Sequence, residues 1–218
     1  GIRGMIFNPA KTNPENWEND KGPALQHFTE AVIYETHVRD FSISESSGMQ
    51  NKGKYLAFTE NETKTSNGIS TGADHLKELG ITHVHLLPVN DFFTIYEEKP
   101  LEKYNWGYDP QHFNAPEGSF STNPYDGRVR IGELKKLVQS LHTQGIGVIL
   151  DVVYNHTYFA EESVFNQTVP GYFYRQKSDG TFANASGCGN EIATERLMVR
   201  KYIVDSLKYC TEEFHIDG

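Results

Sequence analysis

The chain is short of cysteine, of positive charge and of long apolar runs, and each shortage removes a class of function. Of 218 residues only Cys188 and Cys210 are cysteines. Their spacing matches no metal-ligand pattern and gives no support to a disulfide. Two reduced thiols are expected, one in a loop and one on a helix face. Lys and Arg number 20 against 29 Asp and Glu, a formal charge of −9, and the cations form no stripe. This argues against a nucleic-acid partner, because phosphate binding needs clustered Lys and Arg. No apolar run approaches the roughly 20 residues of a membrane span. The opening GIRGMIFNPAKTNPENW has neither the basic nor the apolar region of a signal peptide. A mature secreted chain would lack these too, so secretion and cytoplasmic residence both stay open. No G-x-G-x-x-G or G-x-x-x-x-G-K-[ST] follows any strand, which removes the best support for a nucleotide-binding fold.

What is present is a rhythm of strands and helices. Residues 1–30, broken by Pro9, Pro14, Gly22 and Pro23, read as a surface connector following another domain. Ala31 to His37 is a β-branched and aromatic run of strand length. A helix starting at Ser70-Thr71 carries Leu76 and Leu79 on one face and stops at Gly80. Gly80 leads into the strand Ile81 to Pro88. Ile131, Leu134, Val138 and Leu141 form the stripe of an amphipathic helix. Gly145 closes it, and the strand Ile146 to Val153 follows. A third helix fits Ile192 to about Tyr209, with Val199, Ile203, Leu207 and Cys210 along one side. Phe214 to Gly218 then begins a fourth strand. The strands read as apolar on both faces, as in a parallel sheet covered by helices. The long excursions after strand ends, 90–129 and 157–190, favour a (β/α)8 TIM barrel over a doubly wound sheet. A whole barrel takes roughly 250 residues. This chain is therefore expected to hold the first half only, with 31–218 as a partial catalytic domain.

Functional groups of a barrel gather at the C-terminal ends of its strands. Those ends carry His37, Arg39 and Asp40, then Asn90 and Asp91, then Asp151, Asn155 and His156. YNWGYDP, Tyr104 to Pro110, if extended, sets Tyr104, Trp106 and Tyr108 on one side and Asn105 and Asp109 on the other. Flat aromatic faces beside amide and carboxylate groups suit a sugar ring; the alternative is aromatics that pack the loop onto the barrel. His83 and His85 share a strand face but lack a third ligand, so barrel-core histidines are expected rather than a metal pair. Tyr96 to Lys99 reads as solvated surface.

DVVYNHT (Asp151 to Thr157) and YNWGYDP together resemble the type I pullulanase branch of the α-amylase superfamily, glycoside hydrolase family 13. IYETHVRDFS, GITHVHLLPV, EFHIDG and the leading RGMIFN…KTNPENW resemble it too. The resemblance implies hydrolysis of α-1,6 branch linkages in pullulan and other branched α-glucans, with retention and no required cofactor. It implies that Tyr108 stacks on the sugar whose bond is cleaved, that His156 hydrogen-bonds that sugar, and that Asp151 orients the surrounding network. Trp106 and Asp109 join the substrate-binding set, Asp109 bracing the loop. Asn155 sits where many amylases help to hold calcium, a point on which pullulanases vary. The nucleophile and general acid of the retaining mechanism are expected beyond Gly218; Asp217 stands at the head of the fourth-strand motif and is not the nucleophile. The remaining half of the barrel is then an expected partner, as a further segment or a separate chain. The alternatives are a glucan-binding module without turnover, an α-amylase relative acting on α-1,4 linkages, and an unrelated barrel enzyme.

Overall fold

The computed structural model describes residues 4–218; residues 1–3 of the expected connector lie outside them. Three short strands, β1 (Ile33–Thr36), β2 (His83–Leu86) and β5 (Gly147–Leu150), make one parallel sheet in the order β1-β2-β5. Helices α1 (Gly72–Glu78) and α2 (Gly127–Thr143) are the crossovers, and α4 (Leu197–Phe214) follows β5. Parallel pairs joined this way need an intervening helix, because no short turn returns a strand to the same end. The register aligns Thr36, Leu86 and Leu150. His37, the segment from Leu87 to Asp91, and Asp151 therefore leave the sheet at one end.

The expected stripe of α2 holds: Ile131, Leu134, Val138 and Leu141 are all buried, joining Leu76, Val84, Leu86, Val148 and Leu150 in the main core. Asp126 caps this helix, accepting the Arg128 N–H at 2.9 Å, which satisfies one of its open donors. Other expectations shift. Leu79 and Leu207 are exposed, so the apolar faces of α1 and α4 are narrower than their patterns suggest. The strands are shorter than expected, and α4 starts at Leu197 rather than Ile192. β1 is not apolar-covered on both sides. It is the outer strand, and Val32 and Ile33 are about half exposed. Phe214 ends α4 instead of starting a strand; only beyond His215, in left-handed backbone, does the chain run beside β5. There Asp217 N donates to Val148 O and Leu150 N to Gly218 O.

The leading segment is largely exposed but anchored to the rest of the chain. Trp17 is buried in the main core, and its ring stacks on His215 with centroids 4.1 Å apart. The 90–129 excursion contains an antiparallel pair that periodicity does not announce, β3 (Asn90–Phe92) with β4 (Pro110–Pro116). The 157–190 excursion holds the five-residue helix α3 (Val164–Thr168) and contributes Phe173 and Tyr174 to a second core, which Phe113 and Val199 complete. Both cysteines are free, Cys188 exposed and Cys210 buried, where burial pushes the thiol up to about 11. His83 is buried in the sheet and His85 lies 3.7 Å from Glu35, as expected of barrel histidines.

Candidate active site

The YNWGYDP loop alternates as its pattern anticipates, though by a bent route. Tyr104, Trp106 and Tyr108 are exposed. Between them Asn105 is buried, donating to Thr94 Oγ1 (2.8 Å) and Asp109 Oδ1 (2.9 Å) and accepting the Gly107 N–H (2.8 Å). Asp109 Oδ2 accepts from Thr94 N (2.9 Å) and Oγ1 (2.7 Å). Asn105, Asp109 and Thr94 thus form a closed set of hydrogen bonds beneath the aromatics. Gly107 bends the loop at φ +91°, and a Cβ there would lie 2.8 Å from Pro88 Cβ and 2.9 Å from its carbonyl oxygen. Gly107→Ala adds both a backbone strain of about 1–3 kcal/mol and that collision. Its expected outcome is a lower thermal midpoint, read by calorimetry.

Tyr108 is tied to β5: its hydroxyl donates to Asp151 Oδ2 at 2.5 Å. Burial, this hydrogen bond and the Asp151 charge push its pKa well above the usual phenol value. His156 holds the main chain of the same residue, with Nε2 3.0 Å from Tyr108 O. Its Nδ1 faces the Asn155 side-chain amide at 2.8 Å. Burial keeps the ring's pKa low against the raising effects of the Tyr108 carbonyl and Asp109. Both ring nitrogens of His156 and both oxygens of Asp109 thus meet protein groups in this structure. On the other side Trp106 meets Tyr104 edge-on at 5.5 Å, and Tyr104 donates to Asp40 Oδ2 at 2.6 Å. His37 accepts the Arg39 N–H at Nδ1 and meets Asn105 O at Nε2.

Calcium takes six to eight oxygen ligands. At Asn155 the side chain faces His156, the carbonyl accepts the Ile192 N–H, and among the described residues no set of three carboxylates gathers beside it. The donors there do not fit a calcium shell. One such set does exist elsewhere, Asp91, Glu97 and Glu117, with oxygens within 4.8 Å of one another. There Arg130 supplies the positive charge, donating to Glu97 Oε1 (2.6 Å) and Oε2 (2.7 Å) and lying 3.6 Å from Asp91. Tyr96, Glu98 and Lys99 are exposed, as the reading of that stretch as surface expects; Glu97 alone departs from it, half-buried because a guanidinium from α2 draws it inward. Sequence reasoning missed Glu117 altogether. It is fully buried and accepts the N–H groups of Phe92 (3.1 Å) and Ser119 (2.7 Å). Burial, helped by the Asp91 charge, pushes its pKa up to about 8, so it is largely neutral at pH 7. The one local signal was an acidic residue inside the small and aromatic run Ala115 to Phe120.

The family model described as the catalytic domain of alpha amylase matches residues 38–183. The chain belongs to the α-amylase family. Among its relatives, the pullulanase of Bacillus subtilis (strain 168) is 54% identical over 218 residues, all of this chain and 30% of the relative. The chloroplastic pullulanase 1 of Arabidopsis thaliana is 38% identical, over 94% of this chain and 24% of its own length. The crystal structure of Paenibacillus barengoltzii pullulanase with maltohexaose and α-cyclodextrin superimposes with a TM-score of 0.95 at 52% identity. It covers 98% of this chain and 33% of that one. This α-amylase-family chain is thus part of a pullulanase-like (β/α)8 fold and spans about a third or less of the length of these relatives.

Proposed function

We propose that the chain forms the first half of the barrel of a debranching glycoside hydrolase, acting on α-1,6 linkages of pullulan and other branched α-glucans with retention. What carries the reading is the exposed aromatic rim at the strand ends, with Tyr108 held from two sides by Asp151 and His156. The 54% identity to a pullulanase supports the linkage. Tyr108 offers its ring face to the sugar next to the scissile bond, and Trp106 a second face. Asp109 and Asn105 brace the loop from below. His156 fixes the Tyr108 carbonyl and meets the same sugar once its Nδ1 leaves Asn155. Asp151 orients the Tyr108 hydroxyl. The nucleophile and general acid of a retaining pair, roughly 5 Å apart, come from the remaining half of the barrel, supplied by a further segment or a second chain.

The test is turnover of pullulan by the longer polypeptide that carries this chain. Release of maltotriose is expected, with little action on linear amylose. Binding of pullulan without turnover would instead assign a glucan-binding module, and cleavage confined to amylose would overturn the linkage.

A further inference from the structure

Behind the aromatic rim, a cavity of about 300 Å³ lies between the loop after β1 and the excursion that carries YNWGYDP. Among the described residues two buried side-chain polar atoms lack a hydrogen-bond partner, Arg39 Nε and Ser119 Oγ. Both residues line this cavity. Ser119 Oγ lies near enough to Glu117 to lower its pKa a little, yet outside hydrogen-bond geometry. Buried polar atoms are partnered in some nine cases of ten, so two open donors on one cavity call for an acceptor from outside the chain.

The charge of the wall defines that acceptor. Four cationic side chains, Arg39, Lys52, Lys54 and Lys99, face two carboxylates, Glu98 and Glu102, in a chain whose formal charge is −9. Glu102 already pairs with Lys99 at 3.0 Å. Arg39 shares Nη1 with Asp40 at 3.0 Å, leaving the rest of its planar fork unused. Lys54 donates to the carbonyls of Ser119 (2.8 Å) and Ser121 (3.0 Å), which leaves its third N–H. The rest of the wall combines apolar Ile95, Pro100, Leu101 and Phe120 with His37, Gly53 and Asn105. No flat aromatic face is open for a sugar: Phe120 is buried, with Tyr55, Phe92 and His37 against it.

From this juxtaposition we infer a second ligand site, built for a small organic anion that presents a carboxylate or phosphate to Arg39 and Ser119 and an apolar body to Ile95, Leu101 and Phe120. A guanidinium fork suits either headgroup, since both offer paired oxygens to its planar donors. The volume stands at the small end of ligand pockets and admits a single ring with its headgroup.

The experiment is calorimetric titration of the longer polypeptide with benzoate, phenyl phosphate and the neutral benzyl alcohol. Saturable binding of at least one anion is expected, with Kd on the order of 1 mM for so small a ligand; the tighter anion identifies the headgroup. Benzyl alcohol is expected to bind at least about tenfold more weakly, and Arg39→Gln to weaken the anion by the same factor. Lys52→Gln changes a half-exposed side chain whose Nζ also donates to Glu45 O at 3.0 Å; it is expected to weaken the anion about threefold while keeping the wild-type thermal midpoint within a few degrees, with affinity falling as salt is added. Equal affinity for benzyl alcohol would overturn the site. So would anion binding indifferent to Arg39→Gln, to Lys52→Gln and to salt, or no anion binding at all up to about 20 mM. Pullulan turnover is read separately and decides the debranching proposal, so either can fail alone.

Discussion

Tyr108→Ala is expected to lower kcat/KM on pullulan about 100-fold in the longer polypeptide, the loss that follows when a substrate ring is misplaced by about 1 Å. The residue is held at both ends. Asp151 takes its hydroxyl and His156 its carbonyl, while the Asn105–Asp109–Thr94 set fixes the loop below. The exposed ring therefore stands in one place at the rim, and an aromatic ring whose position is already set offers a sugar face at little entropic cost. Tyr108→Phe keeps the ring and removes the hydrogen bond to the carboxylate; a loss of about tenfold is expected. The order of the two variants carries the argument. If both lose equally, the hydroxyl matters and the face does not. If Tyr108→Ala keeps wild-type kinetics, the ring only packs the loop.

The second large effect lies at the other end of the sheet. His142 on α2 is buried between two carboxylates, with Nδ1 2.8 Å from Asp20 and Nε2 2.9 Å from Asp217. A neutral imidazole donates from one nitrogen only, so one carboxylate would face a lone pair; the charged ring satisfies both. Burial opposes that charge, but the hydrogen bonds and charges of Asp217 and Asp20 outweigh it and raise the pKa above its ordinary value. His215 adds a second contact to Asp20 at 2.9 Å, and Asp217 also accepts the Val148 N–H at 2.7 Å. One ion thus joins the leading segment, α2 and the end of the chain. His142→Ala is expected to cost about 3 kcal/mol, because it leaves buried Asp20 without its main partner.

The pH dependence follows from the raised value. A histidine whose folded pKa lies above the unfolded one, near 6.5, contributes its full stabilisation below that pH. The contribution is lost as pH rises through the folded pKa. The stability gap between wild type and His142→Ala should therefore be widest in mild acid and should narrow as pH rises above neutrality. Chemical denaturation at a series of pH values reads this directly, and a gap that does not change with pH would mean packing alone. Asp20→Asn in the His142→Ala background should cost less than in the wild type, since the two residues share one interaction.

The alternation of apolar runs with amphipathic stripes determined the α/β class from the sequence alone, because both periodicities are local consequences of backbone geometry. The rim was legible in part. In a parallel sheet every strand exposes its end on one side, so Asp151 and His156 were legible as neighbours of the other strand ends, whereas Tyr108, carried on the excursion, was assigned to them only by the resemblance of YNWGYDP and DVVYNHT. Their partners were legible less completely. The pattern of YNWGYDP placed Asn105 and Asp109 together, but not Thr94, which the β3–β4 pair brings beneath them.

Only the tertiary structure decided the rest, for one physical reason: these contacts join residues with no common period. Asp20 and His142 are 122 residues apart and His142 and Asp217 are 75 apart. No spacing rule reaches that far, and a lone buried histidine has no local mark. Glu97 looked like surface until Arg130 of α2 met it 33 residues on. Burial raises the Glu117 pKa only because of where folding places it, and Arg39 and Ser119 share a cavity only because two excursions close over it. Side chains of ordinary type thus acquire charge states and partners from desolvation and long-range contact, which the chain's local chemistry does not encode.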